Sequence, residues 1–229
     1  MTHILDNPIY NALKTGNKKL AIGEGQTSIF RRDVAPFAGM KNNNEEDFKA
    51  ITALGAHINP VVIFTPVKLS IPINWEVARA FDMLQMVYEG PVPVNSTPQQ
   101  ITDLDDSHIP QMLELTQLTK PGPFLQRTIE FGNYTGIFED GKLVSMLGQR
   151  MQPSPYIEIS AVCTHPGHLG KGYAGILLNE QIKRVIKANG IPFLHVLADN
   201  HQAIRVYERV GFKTRKPILG YVCNIIKDA

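Results

Sequence analysis

The C-terminal half of the chain reads Tyr156-Ile-Glu-Ile-Ser-Ala-Val-Cys-Thr164 and then, two residues later, Gly167-His-Leu-Gly-Lys-Gly-Tyr-Ala174. The first segment is apolar and rich in β-branched residues, which favours a strand, and the second is a glycine-rich turn. A long amphipathic pattern and a second apolar strand, Pro192-Phe-Leu-His-Val-Leu-Ala198, follow. A strand, a glycine turn and a helix in this order point backbone N–H groups at an anion beside a helix N-terminus. The sequence therefore predicts a site for a cofactor pyrophosphate.

Two other glycine motifs bind phosphates, and neither fits this turn. A P-loop needs Ser or Thr directly after its Lys, but Lys171 is followed by Gly172. The dinucleotide fingerprint needs the order G-x-G-x-x-G and an acidic residue about twenty positions later. Here the glycines run Gly167-x-x-Gly170-x-Gly172, and the later region is Asn189-Gly-Ile-Pro192.

Two segments resemble the signature of the GNAT superfamily of acyl-CoA-dependent N-acetyltransferases. The family pattern Arg/Gln-x-x-Gly-x-Gly/Ala is similar to Leu169-Gly-Lys-Gly-Tyr-Ala174. The second half of the signature resembles Asn200-x-x-Ala203-x-x-x-Tyr207-x-x-x-Gly211-Phe212. Leu169 stands where the family usually has Arg or Gln, so one side-chain donor is lost while the backbone donors of the turn remain. The resemblance covers residues 98–229.

The resemblance implies an α/β fold with a mixed sheet, the GNAT acyl-CoA N-acyltransferase fold, over residues 98–229. The proline-rich segment Pro91-Val-Pro-Val-Asn-Ser-Thr-Pro98 is the best linker candidate, because it cannot build a core element. Residues 1–97 are expected to form a smaller N-terminal α/β domain. That domain is either a degenerate copy of the same architecture or unrelated to it.

Periodicity and turn signals predict the individual elements. Helices are expected over residues 4–15, 45–56 and 109–118, the second with an N-cap from Asn42-Asn-Asn44. Strands are expected over residues 20–30, 34–40, 61–64 and 99–104, and a hairpin over 136–144 turns at Asp140-Gly141 and continues to Met151. Residues 75–88 show no clean period, and we favour a strand in their second half.

Composition excludes several classes of protein. The chain has 229 residues with a net charge of +2, which gives no basis for nucleic-acid binding. No basic start precedes an apolar core at the N-terminus, and no apolar run approaches the roughly 20 residues of a membrane span. Cys163 and Cys223 lie in apolar runs without metal-ligand spacing, so we expect buried reduced thiols and no metal site. A cytoplasmic protein is expected.

The resemblance also implies where coenzyme A lies. The pantetheine arm would run along the strand end at Val162, Cys163 and Thr164, with one free N–H near Val162–Cys163 for the oxyanion. The pyrophosphate would lie on the turn, and Asn200 and Ala203 would line the arm. The turn comprises Leu169, Gly170, Lys171, Gly172, Tyr173 and Ala174.

Glu158 is the candidate general base. A lysine-like amine with a pKa near 10.4 is mostly charged at neutral pH, and a nearby carboxylate can accept its proton. Members of the superfamily that use a strand glutamate place it eleven positions before the turn signature, and Glu158 has that spacing to Leu169. The alternative is an exposed or salt-bridged strand residue.

Tyr207 is the candidate acid for the leaving thiolate. It lies one helical turn after Ala203, so both face the same side, and a phenol can donate a proton to sulfur. The alternative is an ordinary core aromatic. His195 either faces the acceptor or is a hydrogen-bonded strand histidine, and His165 is expected to shape the turn with Pro166.

The expected activity is direct transfer of an acetyl group from acetyl-CoA to an amine. Longer acyl groups, as in the glycine N-acyltransferase branch, are one alternative, and a CoA-binding module without turnover is another. The loop Thr119–Phe124, followed by Arg127, is where this fold builds the acceptor pocket, with Lys120 and Arg127 as candidate contacts. The sequence leaves the acceptor and the oligomeric state open.

Overall fold

The structure is a computed structural model that describes residues 3–94 and 100–226. Its α-helices are α1 (Pro8–Lys14), α2 (Glu45–Thr52), α3 (Ile109–Thr119), α4 (Tyr173–Lys187) and α5 (His201–Val210). Its strands are β1 (Ala21–Ile22), β2 (Thr27–Phe30), β3 (Ala38–Met40), β4 (Val61–Thr65), β5 (Trp75–Tyr88), β6 (Thr102–Asp103), β7 (Thr135–Glu139), β8 (Lys142–Gln149), β9 (Tyr156–Thr164), β10 (Ile191–Leu197) and β11 (Phe212–Ile225). No helix in these two ranges is long and apolar enough to cross a bilayer.

One eight-stranded sheet dominates the molecule. Its order is β4-β11-β5-β10-β9-β8-β7-β6, and β1, β2 and β3 form a separate small sheet. Only the pair of β9 and β10 is parallel, and the other neighbours in the large sheet are antiparallel. This is the mixed sheet expected from the sequence.

Helices cover both faces of the large sheet. On one face, α4 and α5 pack through Leu177, Ile182 and Tyr207 against strand residues such as Ile159 and Leu194. On the other face, α3 packs against β8 and β9, while α1 packs mainly against β2 and β3 and also contacts β4. Alternate residues of β9 and β10 therefore point to different layers, which decides which of them can meet in a site.

The N-terminal half supplies two strands of the large sheet. Between β10 and β11 lies β5, antiparallel to both, and β4 forms the outer edge beside β11. The sheet thus contains strands from both sides of the expected boundary at residue 97. Residues 95–98 of the expected linker lie outside the described residues, and the division into two domains stays a prediction, as does the duplication.

Most predicted elements are found, several of them with shorter bounds than expected. The strand expected over residues 99–104 is reduced to β6, and residue 99 lies outside the described part. The helix α2 ends at Thr52 and not at residue 56. Gly55 has a left-handed φ of 92°, which an α-helix cannot continue through. The strand β5 fills all of Trp75–Tyr88, and its first half is mostly exposed, which hides the alternating pattern.

Candidate active site

A wedge between β9 and β10 forms the centre of the site. The two parallel strands pair from Tyr156–Ile191 to Glu158–Phe193, and no register beyond that point joins them in the described residues. The rest of β9 pairs with β8 on its other edge, while β10 pairs with β5. The inner edges of both strands are therefore free to accept an extended ligand. Ligands of α/β sheets bind in this position, beyond the carboxyl ends of parallel strands.

A β-bulge shapes the β9 side of the wedge. Ala161 has a φ of 54°, which non-glycine residues rarely adopt. The register of β9 with β8 shifts between the pairs Gly148–Ser160 and Met146–Cys163, so Ala161 and Val162 face one residue of β8. Three residues are expected to contact pantetheine: Val162 lies within this bulge, and Cys163 and Thr164 follow it at the edge of the wedge.

The glycine turn follows β9 as predicted. His165 accepts a hydrogen bond from the Gly167 N–H at 3.1 Å, and so it shapes the turn with Pro166. Gly170 and Gly172 have φ values of 80° and 79°, and a Cβ at either position would meet no atom within 4 Å. The turn is thus open on the side where a ligand would lie, and Leu169 is 56% exposed there.

The helix α4 begins directly at this turn and exposes backbone donors. Its N-cap is Gly172, which has no side chain to accept a hydrogen bond from the first N–H groups of the helix. Tyr173 and Ala174, both predicted cofactor contacts, occupy the first two helical positions. Unpaired N–H groups at a helix N-terminus carry partial positive charge and favour an anion.

One carboxylate lies beside the turn. Glu139, at the end of β7, contacts Lys171 Nζ at 2.8 Å and His168 Nε2 at 3.2 Å. The Tyr173 hydroxyl also donates a hydrogen bond to Glu139. Lys171 lowers the pKa of Glu139, which is therefore charged at neutral pH. The basic side chains of the turn are thus held by an anionic group.

The helix α5 begins on the other side of the wedge. Asn200 caps it by accepting a hydrogen bond from the Ala203 N–H at 3.1 Å, and Ala203 is half-buried. Tyr207 lies one turn later with its ring edge-on to Phe212 and only 8% exposed. Burial raises the pKa of the Tyr207 hydroxyl, so the phenol keeps its proton at neutral pH. These contacts fit a core aromatic, and the protonated hydroxyl also fits a proton donor.

Glu158 is completely buried and bound to Arg150. The guanidinium donates from Nε at 2.8 Å and from Nη2 at 2.6 Å, one hydrogen bond to each carboxylate oxygen. The Met151 N–H and His195 Nδ1 lie at 3.3 Å and 2.7 Å from the same oxygens. Burial would raise the pKa of Glu158, but Arg150 and His195 lower it to about 2. Of the two alternatives for Glu158, a salt-bridged carboxylate describes this geometry.

The hydrogen bonds around His195 define its tautomer. Gln85, fully buried on β5, accepts from Arg215 Nε at 3.0 Å and donates to the Leu5 carbonyl at 2.9 Å. The amide nitrogen of Gln85 must therefore face His195 Nε2, which lies 3.0 Å away and can only accept. In this arrangement Nε2 of His195 accepts from Gln85, and Nδ1 donates to Glu158. His195 is a hydrogen-bonded strand histidine.

The N-terminal half contributes residues to both ends of this network. The Arg150 guanidinium lies over the rings of Phe37 and Phe64, 5.1 Å and 5.8 Å from their centroids. At the other end, Asp6 pairs with Arg215. The network thus joins residues that are more than 200 positions apart, which no local pattern in the sequence could indicate.

A narrow cleft with a volume of about 10 Å³ lies beside the bulge. It is lined by residues 121–124, Thr128, Tyr134, Arg150, Ser160 and Ala161. The loop that was expected to build an acceptor pocket therefore forms one wall. Arg127 lies elsewhere, in ion pairs with Glu130 and Asp106, and Lys120 ends α3 in a left-handed conformation.

The surroundings of the two cysteines do not favour a nucleophilic thiol. Burial raises the pKa of the Cys163 thiol to about 12, so this residue is protonated and weakly nucleophilic. Both cysteines are free and buried. In residues 3–94 and 100–226 no group of three His, Cys, Asp or Glu side chains could hold a metal ion.

Arg150 and Gln85 are the site residues that the sequence did not indicate. Arg150 is part of the segment between β8 and β9, and its partner follows eight residues later. Gln85 is a polar residue in the apolar run Met83-Leu-Gln-Met-Val87, and this interruption is the signal that could have been used.

Comparison with known proteins identifies the family. The profile of the family described as FR47-like protein matches residues 134–218. A solved GNAT-family protein from Novosphingobium aromaticivorans DSM 12444 is 30% identical, covering 98% of this chain and 99% of its own, with a TM-score of 0.90. No curated protein matches the sequence.

More distant structures share the fold. A GCN5-related N-acetyltransferase from Kribbella flavida is 12% identical, with a TM-score of 0.61 and coverage of 93% of this chain and 95% of that one. A GCN5-related N-acetyltransferase-like protein from Streptococcus suis 89/1591 is 14% identical, with a TM-score of 0.61 and coverage of 96% and 95%. Because the 30% match extends along nearly the whole of both chains, this protein belongs to the GNAT family.

Proposed function

We propose that this protein is an N-acetyltransferase that moves the acetyl group of acetyl-CoA directly to an amine. The observation that carries the proposal is the wedge between β9 and β10 with a glycine turn and a helix N-terminus at its mouth. An extended arm with an anionic end fits a groove that has free strand edges and a cluster of backbone donors. Coenzyme A has this shape, and the family uses it.

The cofactor contacts follow from this placement. The pantetheine arm would add to the free edge of β9 at Val162, Cys163 and Thr164, as an extra strand. The diphosphate would lie on the N–H groups of residues 169–174, with Asn200 and Ala203 beside the arm. These contacts are backbone donors for the most part, so the loss of a side-chain donor at Leu169 weakens the site without removing it.

The proposed reaction is a single displacement. The neutral amine nitrogen attacks the thioester carbon, a C–N bond forms and the C–S bond breaks. An N–H near Val162–Cys163 would stabilise the oxyanion. The amine loses one proton to solvent, Tyr207 would give one proton to the departing thiolate of CoA, and solvent would then return a proton to Tyr207. No covalent enzyme intermediate is required, in agreement with the protonated state of Cys163.

For Glu158 we propose a positioning role in place of the direct base expected from the sequence. Its oxygens accept from Arg150, His195 and Met151, and a carboxylate with a pKa of about 2 takes a proton from an ammonium poorly. Burial and the guanidinium of Arg150 would instead lower the pKa of the bound amine, so that solvent can take its proton.

The activity is tested by mass spectrometry of the products from acetyl-CoA and a broad panel of amines. We expect an amide product with a mass increase of one acetyl group, together with free CoA. Competition between acetyl-CoA and longer acyl-CoAs tests the donor. If CoA binds and no amine in the panel is acetylated, the protein is a binding module and the proposal is wrong.

Tyr207→Phe tests the acid. We expect kcat to fall about 10–100-fold, because the thiolate would leave without a proton donor, while the Kd of CoA changes less than about twofold. The matched control is Tyr221→Phe, since Tyr221 is also 8% exposed but lies in a different core cluster. Equal kcat values for the two variants would leave Tyr207 as a core aromatic only.

Glu139→Gln tests the electrostatics of the turn. Removing the carboxylate frees Lys171 and His168 for the diphosphate, so we expect CoA to bind about 3–10-fold more tightly. Glu45→Gln, in the exposed pair with Lys49, is the control and should change nothing. Calorimetric titration with CoA measures both variants. Weaker binding by Glu139→Gln would mean that this carboxylate holds the turn in its binding conformation.

A further inference from the structure

We infer that Phe124 and Tyr134 limit the transferred acyl group to two carbons, because together they wall off the space at the closed end of the wedge. The inference rests on the proposed function, since it concerns the donor that the same site takes. Longer acyl-CoAs are the alternative donors, and these two side chains would exclude them.

The acyl group would lie at the closed end of the wedge between β9 and β10. In the proposed function the diphosphate lies on residues 169–174, after the end of β9, and the pantetheine arm lies along residues 162–164. An extended arm on this edge runs back from the turn towards the β-bulge, with its sulfur end foremost. Before the bulge the two strands pair, as far as Glu158 and Phe193. The thioester and its acyl group would therefore lie between the bulge and this last pair.

Side chains fill both faces of the sheet at this closed end. Ile159 and Leu194 are 2% and 1% exposed and pack into the layer of α4 and α5. Phe193 is fully buried in the opposite layer, and Glu158 is held there by Arg150. An acyl chain that continued into either layer would have to displace one of these side chains, and extra carbon atoms in a packed core are costly.

The narrow cleft beside the bulge lies where the acyl group would end. Ser160 and Ala161 line it from β9, directly before the residues proposed to contact pantetheine. Its volume of about 10 Å³ is close to the roughly 10–15 Å³ that one water molecule needs. The methyl group of an acetyl is only slightly larger than a water molecule, whereas a butyryl chain adds two more carbons. The cleft therefore suits acetyl and excludes longer chains.

Tyr134 reaches this cleft across β8. The strand has Gly148 at the crossing point, opposite Ser160 of β9, and a Cβ on Gly148 would collide with the Tyr134 ring. Tyr134 is 2% exposed and lines the cleft. Because the ring already fits closely on the glycine, it has no room to move towards β8 when a longer acyl chain arrives.

Phe124, which is half-buried, forms the neighbouring wall of the cleft. Its ring stands edge-on to that of Tyr134, with the two centroids 5.7 Å apart. Directly after it, the Leu125 N–H donates to Thr128 Oγ1 at 2.7 Å, and the Thr128 hydroxyl donates to the Val34 carbonyl at 2.7 Å. The segment that carries Phe124 is thus tied to the N-terminal half, which gives that half a part in selecting the donor.

The experiment compares acetyl-, propionyl-, butyryl- and hexanoyl-CoA as donors for the wild-type protein, with the amine of the panel that reacts fastest with any of them. We expect kcat/KM to be at least about 30-fold lower for butyryl-CoA than for acetyl-CoA, because the two added carbons would have to force packed side chains apart. Butyryl-CoA or hexanoyl-CoA used as well as acetyl-CoA overturns the limit and leaves the acyltransferase standing. Transfer from none of the donors overturns both.

Phe124→Ala provides the second measurement, since it removes one wall of the cleft. We expect the ratio of kcat/KM for butyryl-CoA to that for acetyl-CoA to rise at least about tenfold. Phe138→Ala is the matched control, because Phe138 is also half-buried but packs on His108, and its ratio should stay at the wild-type value.

Ala161→Gly keeps the test decisive should Phe124→Ala fail to fold. Glycine adopts the φ of 54° at this position without steric cost, and the substitution removes one methyl group from the lining of the cleft. We expect the ratio of kcat/KM for propionyl-CoA to that for acetyl-CoA to rise about 3–10-fold. Wild-type ratios in every folded variant at positions 124 and 161 would overturn the inference.

Discussion

Replacing Glu158 by Gln is expected to lower the free energy of unfolding by about 3 kcal/mol, because it leaves the largely buried guanidinium of Arg150 without its counter-ion. Glutamine has the right shape but offers one acceptor oxygen where Arg150 and His195 present three N–H groups. The N–H₂ group of the glutamine side chain would point at one of these N–H donors, with which it cannot form a hydrogen bond. Chemical denaturation of the purified variant measures this loss.

The control is Glu180→Gln on α4. Glu180 pairs with Arg184 at 2.8 Å in a partly exposed position, where an ion pair contributes about 0–1 kcal/mol. The positioning role would be contradicted if Glu158→Gln lost no more free energy of unfolding than Glu180→Gln. In that case we would also expect Glu158→Gln to have a kcat at least about 100-fold lower than wild type and a pH–rate profile that loses one limb. Glu158 would then be the base.

The same ion pair predicts how stability depends on pH. The pKa of Glu158 is lowered in the folded protein from its ordinary 4.5 to about 2. A lowered pKa contributes stability above the unfolded value, and this contribution is lost as the pH falls through the folded value. The free energy of unfolding should therefore decrease between about pH 4.5 and pH 2, and this part of the decrease should be missing in Glu158→Gln.

Gly172→Asp is expected to weaken CoA binding by about 30-fold or more, since a carboxylate would stand beside the diphosphate. A Cβ at Gly172 would meet no protein atom within 4 Å, so the side chain would enter the space assigned to the ligand. Asp also tolerates a left-handed φ better than most residues, which limits the effect on folding.

The control for this variant is Gly25→Asp. Gly25 has a φ of 72° and the same open surroundings, but it lies in the turn between β1 and β2. Both variants should show a similar melting temperature, and Gly25→Asp should bind CoA as the wild type does. Equal affinity of the two variants for CoA would place the diphosphate somewhere other than the glycine turn.

The parts of the fold that depend on local sequence were predictable. Residues 156–187 form a strand, a turn and a helix because the β-branched run, the positive φ of Gly170 and Gly172 and the amphipathic pattern agree with one another. The hairpin at Asp140-Gly141 and the caps Asn44 and Asn200 are local in the same sense. For these residues one short segment contains all the information.

The remaining features depend on which strands become neighbours. The place of β5 between β10 and β11 brings Gln85 to His195, 110 residues away in sequence. Arg150 reaches Glu158 because of the connection and register between β8 and β9, which no period reveals. Spacing to the turn draws attention to Glu158, but the partners that lower its pKa come from the tertiary fold.

Calorimetric titration of the wild-type protein with coenzyme A, beside pantetheine as the fragment that lacks the diphosphate, tests the central claim most directly. We expect one CoA per chain with a Kd in the micromolar range and binding by pantetheine at least about 30-fold weaker, because the backbone donors of the turn would have no anion to bind. Equal affinity for the two ligands, or no heat with CoA at millimolar concentration, would contradict the account.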